Sequence, residues 1–435
     1  MEQLVVFIEF LSIVINTLWL IFVLSKFFKG FRDSVLVIIP IFYIFFTLPL
    51  ILDHTIGPPS YYKYPGFLVA SKDYTTRIIY SIYIVYIPFI LYKYGTVRKS
   101  VNNVNYDINA NSIKFILYIF LFLPILLILF SPNPLIYLNY AAVTKGLLNL
   151  EEREFHYYVS LFSMMSILAY IILIFIKRGR IFSYSIILLP FIIIDIWVYG
   201  KRFIVATFIV LLVFVLWKKG ILKGFRIIII GIMSSVLIFL YSSIYQDTVR
   251  DYESYSFEEK YTHFRIDYGR DAVTKLTIFS ELNPDKIKIL NFRGESFLFD
   301  LTFFVPRDIW PEKPYPYAQY VTSAVFFSEP KLWGWGFTTS IFEEMIANFS
   351  WFGMILAPFS IALICRISDS FNNGLISIFG ILISTLLMVL HLAPYITIFM
   401  LWVFTIIIFK FKRNKVKKSQ SCFHIKNTDG VAKLE

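Results

Sequence analysis

The stretch from Tyr157 to Tyr199 reads YYVSLFSMMSILAYIILIFIKRGRIFSYSIILLPFIIIDIWVY, two apolar runs separated by the basic tetrapeptide KRGR. The first run, Tyr157–Ile176, holds no charged residue, and the second, Ile181–Tyr199, holds only Asp195. Apolar runs of about 17–25 residues are long enough to cross the hydrocarbon core of a bilayer as helices. The stretch therefore predicts two membrane helices joined by a short basic loop.

The whole chain has the composition of a protein that crosses the membrane many times. Of its 435 residues, 58% are hydrophobic and only 16% are charged, whereas soluble domains are about half apolar and a quarter charged. The net charge of +12 lies mainly in short loops and in the tail KFKRNKVKK. That distribution is typical of cytoplasmic loops and not of a nucleic-acid groove.

Cysteine usage and the start of the chain add two further expectations. Cys365 lies in an apolar stretch and Cys422 in the tail, which offers no disulfide framework and no metal cluster. The start MEQLVVFIEF has no basic segment and no small-residue cleavage site, so we expect a retained first span.

Eleven apolar runs are long enough to span, which predicts an all-α polytopic membrane protein of about eleven transmembrane helices, with a range of about 10–12. The runs are Leu4–Ser25, Ser34–Leu52, Arg77–Tyr94, Ile113–Phe130, Tyr157–Ile176, Ile181–Tyr199, Phe203–Trp217, Ile227–Ile244, Met345–Cys365, Leu375–Leu392 and Tyr395–Lys410.

Lys and Arg set the orientation, because they gather in alternate loops. The richer set, predicted to be cytoplasmic, holds Lys26, Lys29, Arg32, Lys93, Arg98, Lys99, Lys177, Arg178, Arg180, Lys218, Lys219, Lys223, Arg226 and Arg366, together with the tail. The poorer set holds Lys63, Lys72, Lys145, Arg153, Lys201 and Arg202. With eleven spans, the N-terminus lies outside and the C-terminus inside.

Four regions follow from this topology: an N-terminal bundle of about eight spans (1–244), a large extracytoplasmic loop (245–344), about three C-terminal spans (345–410) and a basic cytoplasmic tail (411–435). Long loops without a function are uncommon, so the large loop is the first place to look for a site. We expect its helix-like stretch YESYSFEEKYTHFRIDYGRDAVTKLTIFSEL to form one or two short helices near the membrane surface.

Within this loop the segment FFVPRDIWPEKPYPYAQY, Phe303–Tyr320, concentrates prolines, cations and aromatic rings. Prolines stiffen the chain and suppress helix, which holds Arg307 and Lys313 in place. An Arg fork suits phosphate oxygens and Lys adds a compact charge, while Trp310 can stack on the apolar face of a sugar. The alternative is a structural loop whose cations touch lipid headgroups.

Two motifs resemble a known family. The string P-R-x-x-W-P-x-K-P from Pro306 to Pro314, followed by Glu344-x-x-x-Asn348-Phe349-x-x-Phe352-Gly353, is similar to the Wzy-type oligosaccharide repeat-unit polymerases of bacterial O-antigen and capsule synthesis. The resemblance covers about fifty residues in detail. This chain departs from the pattern in Ser350, where Gly is usual, in Phe342 followed by the extra acid Glu343, and in lacking an Arg-x10-Gly pattern.

The resemblance implies a glycosyltransferase bundle of the GT-C-like, O-antigen polymerase and ligase type. Such an enzyme joins undecaprenyl-diphosphate-linked repeat units, its donor and acceptor, on the outer face of the bacterial cytoplasmic membrane. It implies no cofactor and no metal, and its partners are membrane lipids, with a flippase and a chain-length regulator as further candidates and no nucleic acid.

The resemblance and the charges together suggest the site residues. Arg307 and Lys313 would bind diphosphate, as would the outer cations Lys201 and Arg202, whose alternative is contact with headgroup phosphates. Asp195 lies about one turn inside the same end, and we expect it to pair with Lys201 or Arg202.

The ninth span opens with two carboxylates. Glu344 matches the motif and would act as the general base or as a sugar-binding carboxylate. Glu343 would bind sugar alongside Trp310, and Asn348 would hold Glu344 or a sugar hydroxyl. The alternative for the two acids is a plain complement to the helix dipole.

Arginines and histidines of the loop supply further candidates. Arg265 and Arg270 would bind diphosphate, although local ion pairing with Asp267 or Asp271 is the alternative; Arg250 and Arg293 are weaker candidates. His391, at the outer end of the tenth span, is a possible catalytic base, and so is His263, although a lone His is more often structural.

Two other functions stay open. An O-antigen ligase would use the same donor with another acceptor and would depend on an outer-loop His such as His263. A lipid-linked oligosaccharide flippase would need a polar path through the bundle, which the few charges inside the spans disfavour. The sequence also lacks an outer-loop Asp-x-Asp pair, a Walker loop, a dinucleotide-binding glycine turn and a His-Glu-x-x-His motif.

Overall fold

The computed structural model describes residues 1–97, 110–142, 146–250, 255–371 and 373–411, with the backbone alone at 110–112, 150 and 247–250. Several features named above lie outside the described residues: Arg98, Lys99, Lys145, Cys422, the basic tail beyond residue 411 and the side chain of Arg250.

Across the described ranges the protein is all-helical, with no β-strand. The helices are α1 Glu2–Phe28, α2 Val35–Thr55, α3 Pro65–Lys72, α4 Tyr74–Gly95, α5 Ala110–Leu129, α6 Leu150–Ile176, α7 Ile181–Tyr199, α8 Arg202–Lys218, α9 Phe225–Arg250, α10 Phe257–Tyr268, α11 Asp271–Leu282, α12 Glu295–Leu301, α13 Tyr317–Phe326, α14 Ile341–Phe349, α15 Gly353–Ser370, α16 Gly374–Val389 and α17 Ala393–Phe411.

Ten of the eleven apolar runs fall on one helix each, and Met345–Cys365 is divided between α14 and α15. The expectation of a polytopic helical membrane protein is confirmed. Eight segments in the described ranges are long and apolar enough to cross a membrane: α1, α2, α4, α6, α7, α9, α14 with α15, and α17. Two further apolar helices are shorter, Ile113–Leu129 within α5 and Gly374–Val389. The count of eleven stays a prediction.

The long helices pack around one extended apolar core. Helix α4 lies against α1 and α15, α6 lies against α5 and α7, and α16 contacts both groups through α2, α6 and α8. Aromatic rings fill the centre, where Phe42 stacks on Phe46 and Phe342 meets Phe46 edge-on with centroids 5.0 Å apart. The aromatic rings of α2 therefore pack against the start of α14 and fix its position.

A second, smaller core lies among α3, α10, α11 and α13. Helix α3 meets α13 backbone to backbone, since a Cβ on Gly66 would lie 2.8 Å from the Ala324 carbonyl oxygen. Every residue of α11 from Asp271 to Ser280 is buried, and α11 also packs on α4 and α14. The expected short helices therefore exist, but α11 is enclosed by protein instead of lying against a membrane surface.

The break between α14 and α15 has a local backbone cause. Ser350 adopts φ 55° and ψ −144°, a conformation that side-chain-bearing residues rarely adopt, and a Cβ on Gly353 would lie 2.0 Å from the Met345 carbonyl oxygen. The turn thus explains Gly353 physically, and a glycine at position 350 would suit it too. Here the Ser350 hydroxyl instead donates to Glu281 at 2.7 Å.

This geometry gives a paired stability prediction for position 350. Ser350→Ala keeps the backbone strain and loses the hydrogen bond to Glu281, so we expect a loss of about 1–2 kcal/mol. Ser350→Gly loses the same hydrogen bond but relieves strain of about 1–3 kcal/mol, so its stability should exceed that of Ser350→Ala by at least about 1 kcal/mol, read from unfolding in detergent. Equal stabilities of the two variants would show that the turn is not strained.

Candidate active site

The side chain of Glu343 links α14 to α11 through hydrogen bonds. At the start of α14 its side chain accepts from the Ser340 backbone N–H at 2.7 Å, and the Ser340 hydroxyl accepts from Phe342 N–H at 3.2 Å, which caps the helix. The other carboxylate oxygen accepts from the Thr274 hydroxyl of α11 at 2.7 Å. These contacts favour a structural role for Glu343 over the sugar-binding role expected from sequence.

Glu344 turns the other way, into a polar site enclosed by three elements. Its side chain is fully buried and accepts from the Ser296 hydroxyl of α12 at 3.0 Å and from Leu392 N–H at 3.1 Å. The Asn348 side-chain amide donates to Ser296 Oγ at 2.8 Å and to the Glu344 carbonyl at 2.7 Å. The expected proximity of Glu344 and Asn348 on one face of the helix is therefore present.

Asp300 is the functional candidate that the sequence reading missed. It lies one turn after Ser296 on the same face of α12, only 2% exposed, and neither carboxylate oxygen has a hydrogen-bond partner among the described residues. Burial, and next the charge of Glu344, raise the pKa of Asp300 to about 8. A single acid within the apolar string SFLFDLTFF was the available signal. We call Asp300 and Glu344 the carboxyl pair.

Two more buried polar atoms beside the carboxyl pair have no partner among the described residues. These are Oδ1 of Asn348 and Nδ1 of His391, the residue just before Leu392. Unsatisfied buried polar atoms are costly in a folded protein. Their concentration around one pair of acids is what a site for a polar substrate would show.

The proline-rich segment holds two cations that have no carboxylate partner among the residues the structure describes. The Arg307 guanidinium donates to the carbonyls of Lys313 and Pro314 at 2.7 and 2.9 Å and lies 4.1 Å from the Tyr315 ring centroid. The Lys313 ammonium donates to the carbonyls of Phe303 and Val305, both at 2.9 Å. We call Arg307 and Lys313 the loop cations.

The loop cations differ in exposure, and neither forms an ion pair with a described residue. Arg307 is exposed whereas Lys313 is buried, and no Asp or Glu of the described chain lies within 4.0 Å of either. Burial, and next the charge of Arg307, lower the pKa of Lys313. The segment also carries the exposed carboxylates of Asp308 and Glu312, so its formal charge is balanced, and binding of an anion by the loop cations stays a prediction.

Helix α12 connects the loop cations to the carboxyl pair. The Lys313 ammonium lies 4.8 Å from the ring centroid of Phe299, which precedes Asp300. At the start of the same helix, Glu295 accepts from the Tyr320 hydroxyl at 2.7 Å. Two of the predicted site regions are thus brought together by a helix that the sequence reading had not singled out.

Trp310, the expected sugar-stacking residue, lies in the turn of this loop and is half-buried. Its backbone N–H donates to the Pro306 carbonyl at 3.2 Å, and its carbonyl accepts from Lys313 N–H at 3.0 Å. The sugar-stacking role of Trp310 stays a prediction.

The expected pairing of Asp195 with Lys201 or Arg202 is wrong. Arg202 donates to Asp267 of α10 at 2.8 Å and to the Ser242 hydroxyl at 3.2 Å. Asp195 is buried in α7 beside serines of α6, because the helix face that carries it turns toward α6. Lys201 is exposed, 5.8 Å from the ring centroid of Tyr199.

Arg265 and Arg270 also have protein partners. Arg265, 1% exposed, pairs with Asp53 and with Asp271 at 3.0 Å, the local ion pairing considered above. Arg270 donates to the carbonyls of Val389 and Gly269 at 3.3 and 3.0 Å. The ion pairs of Arg265 favour a structural role for it, whereas Arg270 donates to carbonyls as Lys313 does, so its diphosphate-binding role stays a prediction.

The bundle holds more buried charge than its sequence suggested. Glu9 of α1 is 2% exposed and pairs bidentately with Arg77 of α4 at 2.8 Å, and Lys275 pairs with Asp271 at 3.1 Å. These charges lie near the first residues of α4 and α11, at one end of the bundle.

The remaining candidates lie apart from the carboxyl pair. Arg293 pairs with Glu281 at 2.6 Å and donates to the Ala347 carbonyl at 2.7 Å. His263 stacks on Tyr255 with centroids 5.6 Å apart and meets Tyr64 edge-on.

The chain matches no family model, no curated protein and no solved structure.

Proposed function

We propose that the protein is a membrane glycosyltransferase that joins polyprenyl-diphosphate-linked oligosaccharide repeat units into a polysaccharide. The observation that carries this proposal is that α12 holds Asp300 of the carboxyl pair and, one residue before it, Phe299, whose ring centroid lies 4.8 Å from the ammonium of the loop cation Lys313. The carboxyl pair supplies a buried proton acceptor, and the loop cations supply positive charge to bind an anion. Transfer from a diphosphate donor needs both.

The reaction assigns a task to each group. The acceptor hydroxyl attacks the anomeric carbon of the donor sugar, the bond from that carbon to the diphosphate oxygen breaks, and the hydroxyl proton passes to the Glu344 carboxylate. Arg307 and Lys313 stabilise the departing diphosphate, a kind of electrostatic assistance that is usually the largest catalytic contribution. Asp300 holds a proton beside Glu344 and limits the negative charge of the site.

Supporting this proposal, the motif from Pro306 to Gly353 resembles the repeat-unit polymerases, and the loop cations and Glu344 fall within it. A helix bundle of the GT-C-like type with about eleven spans, an extracytoplasmic site and an undecaprenyl carrier belong to the same proposal. The capsule and O-antigen versions share this chemistry.

In cells, loss of the protein should leave single repeat units on the lipid carrier. We expect wild-type protein to restore a ladder of polymer lengths on gels of extracted glycolipid, and Glu344→Gln to leave single units at equal membrane abundance. A ladder from Glu344→Gln equal to that of the wild type would refute the role of Glu344. Single repeat units transferred to an acceptor other than a lipid-linked repeat unit would instead indicate a ligase.

The proposed side of the membrane is open to a separate measurement. Glu312 is exposed on the proline-rich loop, so Glu312→Cys in a background without Cys365 and Cys422 should react with a membrane-impermeant maleimide on intact cells. Labelling only after permeabilisation would place the loop in the cytoplasm, where the proposed donor would not be delivered. Lys219→Cys, from a loop predicted to be cytoplasmic, is the matched control with the opposite expectation.

A further inference from the structure

A row of aromatic rings crosses the protein surface beyond the far end of α13. The heptapeptide KLWGWGF, Lys331–Phe337, places Trp333, Trp335 and Phe337 in one short segment. The Trp335 ring is 5.2 Å from Phe337 and 5.5 Å from Trp333, measured between centroids. Phe337 lies 5.8 Å from Tyr64 at the start of α3. We call Tyr64, Trp335 and Phe337 the aromatic ridge.

One ring of the aromatic ridge, that of Trp335, is exposed, and the rings beside it are held in place. Trp335 is 50% exposed, whereas Phe337 is buried. Trp333 is held in place, because its ring stacks on Phe326 with centroids 4.7 Å apart and its indole N–H donates to the Ser328 hydroxyl at 2.7 Å. Trp335 is therefore the ring whose face can receive a ligand.

A polar cavity continues the ridge beyond Tyr64. Its volume is about 140 Å³, about that of four or five liquid waters. It is lined by Ser60, Tyr62, Lys63, Glu259, Thr262 and His263. Hydroxyl, carboxylate and ammonium groups thus stand beside aromatic rings, which matches a ligand with apolar faces and many hydroxyls.

The charge of the cavity selects against an anion. Lys63 is paired with Glu259 at 2.9 Å, and Glu258 lines the same cavity. Lys63 against Glu258 and Glu259 leaves one negative charge in excess in the lining of this cavity. An anionic lipid headgroup or the diphosphate itself is disfavoured here, while a neutral sugar chain is not.

Helix α13 sets the distance between ridge and reaction centre. It begins just after the proline-rich loop that carries Lys313 and ends at Phe326, against which Trp333 stacks. Ten residues at 1.5 Å each give a separation of about 15 Å along a buried helix. Gly66 fixes α3, and with it Tyr64, against the end of this helix.

We propose that the aromatic ridge and the adjoining cavity bind the glycan portion of the growing polymer, several sugars away from the bond being made. This inference rests on the proposed function and deepens it. It assigns a binding site to the growing glycan, while the loop cations bind the diphosphate of the lipid carrier to which that glycan is attached. A glycan held at both places stays bound between successive transfers, so the ridge determines polymer length.

The test compares Trp335→Ala with Trp335→Phe and with Trp351→Ala, a half-exposed tryptophan between α14 and α15. In purified, bilayer-reconstituted protein supplied with lipid-linked repeat units, Trp335→Ala should shorten the mean polymer about three- to tenfold. The first transfer between two single units should stay within twofold of wild type. Trp335→Phe should restore most of the length, and Trp351→Ala should be normal.

A binding arm separates this inference from the proposed function. The probe is the lipid-free oligosaccharide of two or more repeat units released from the host polymer, and the readout is quenching of tryptophan fluorescence. We expect wild type to bind it about three- to tenfold more tightly than Trp335→Ala. If wild type binds the oligosaccharide in this way but makes no polymer, the proposed polymerase function is wrong and the glycan-binding role of the aromatic ridge still holds.

Three results would overturn the ridge itself. One is polymer of normal length from Trp335→Ala, with wild type active. Another is equal oligosaccharide binding by wild type and Trp335→Ala. The last is quenching of the Trp335 contribution by brominated acyl chains, obtained as the difference from Trp335→Phe, which would identify the ring as a membrane anchor.

Discussion

Replacing Glu344 with Gln is expected to lower glycosyl transfer by about 10²–10⁴-fold, the usual contribution of a positioned base. Gln keeps the size, but its single side-chain oxygen can accept from the Ser296 hydroxyl or from Leu392 N–H and not from both, so the unfolding temperature in detergent is measured beside the rate to show that folding is retained. What it lacks is the capacity to take the proton of the acceptor hydroxyl. The measurement is the initial rate of oligomer formation by purified protein at saturating donor.

Asp300→Asn tests the other member of the carboxyl pair, and its signature is a change with pH. The pKa of Asp300 is raised to about 8 by burial and by Glu344, so the carboxyl is protonated at neutral pH and ionises above it. A second negative charge beside Glu344 then opposes binding of a diphosphate donor, and activity of wild type should fall above about pH 8. Asn imitates the neutral carboxyl, so this variant should keep activity within about tenfold at pH 7 and lose the alkaline fall.

Stability should respond to pH through the same group. An unfolded Asp releases its proton near pH 4, whereas folded Asp300 keeps its proton up to about pH 8. Between these values the folded state binds the extra proton, so stability falls as pH rises, by up to about 1.4 kcal/mol per pH unit for one proton. Asp300→Asn should reduce this dependence of stability on pH. If the variant keeps both the wild-type dependence of stability on pH and the wild-type fall in activity at alkaline pH, Asp300 does not have the proposed role.

Arg307→Ala is expected to lower the rate about 10²–10³-fold, as loss of one preorganised donor to a developing anion does. Arg307→Lys keeps the charge but loses the two-pronged geometry, so an intermediate rate is expected. Lys331→Ala is the matched control, because Lys331 pairs with Glu329 on the surface and both side chains are 65% exposed; such pairs contribute about 0–1 kcal/mol.

A second readout distinguishes binding from loop support, since Arg307 also donates to two carbonyls of its own loop. Inorganic pyrophosphate should inhibit wild type competitively and Arg307→Ala at least tenfold more weakly. Inhibition of equal strength in both, with Arg307→Ala slow, would mean that Arg307 only shapes the loop.

The helices were predictable from the sequence because the bilayer imposes length and apolarity on each segment separately. Ile181–Tyr199 is a helix with the predicted bounds. Glu344 and Asn348 were also accessible, since a spacing of four places them on one face of a helix before anything is known of its neighbours.

The partners of the charged groups were not predictable, because they come from elements far apart in the chain. Arg202 looked ready to pair with nearby Asp195, yet it pairs with Asp267, which lies 65 residues away. Asp300 carried no local signal beyond an acid in an apolar string. Only the packing of α12 against α14 places it beside Glu344.

The most direct test of the account is to count carrier molecules released for each sugar linkage formed. Purified wild-type protein, given lipid-linked repeat units in the presence of a metal chelator, should release one polyprenyl diphosphate per new glycosidic bond. Glu344→Gln and Arg307→Ala should both release it far more slowly. If wild type binds the lipid-linked units yet forms no linkage and frees no carrier, with or without divalent metal, then the carboxyl pair and the loop cations do not constitute a transfer site.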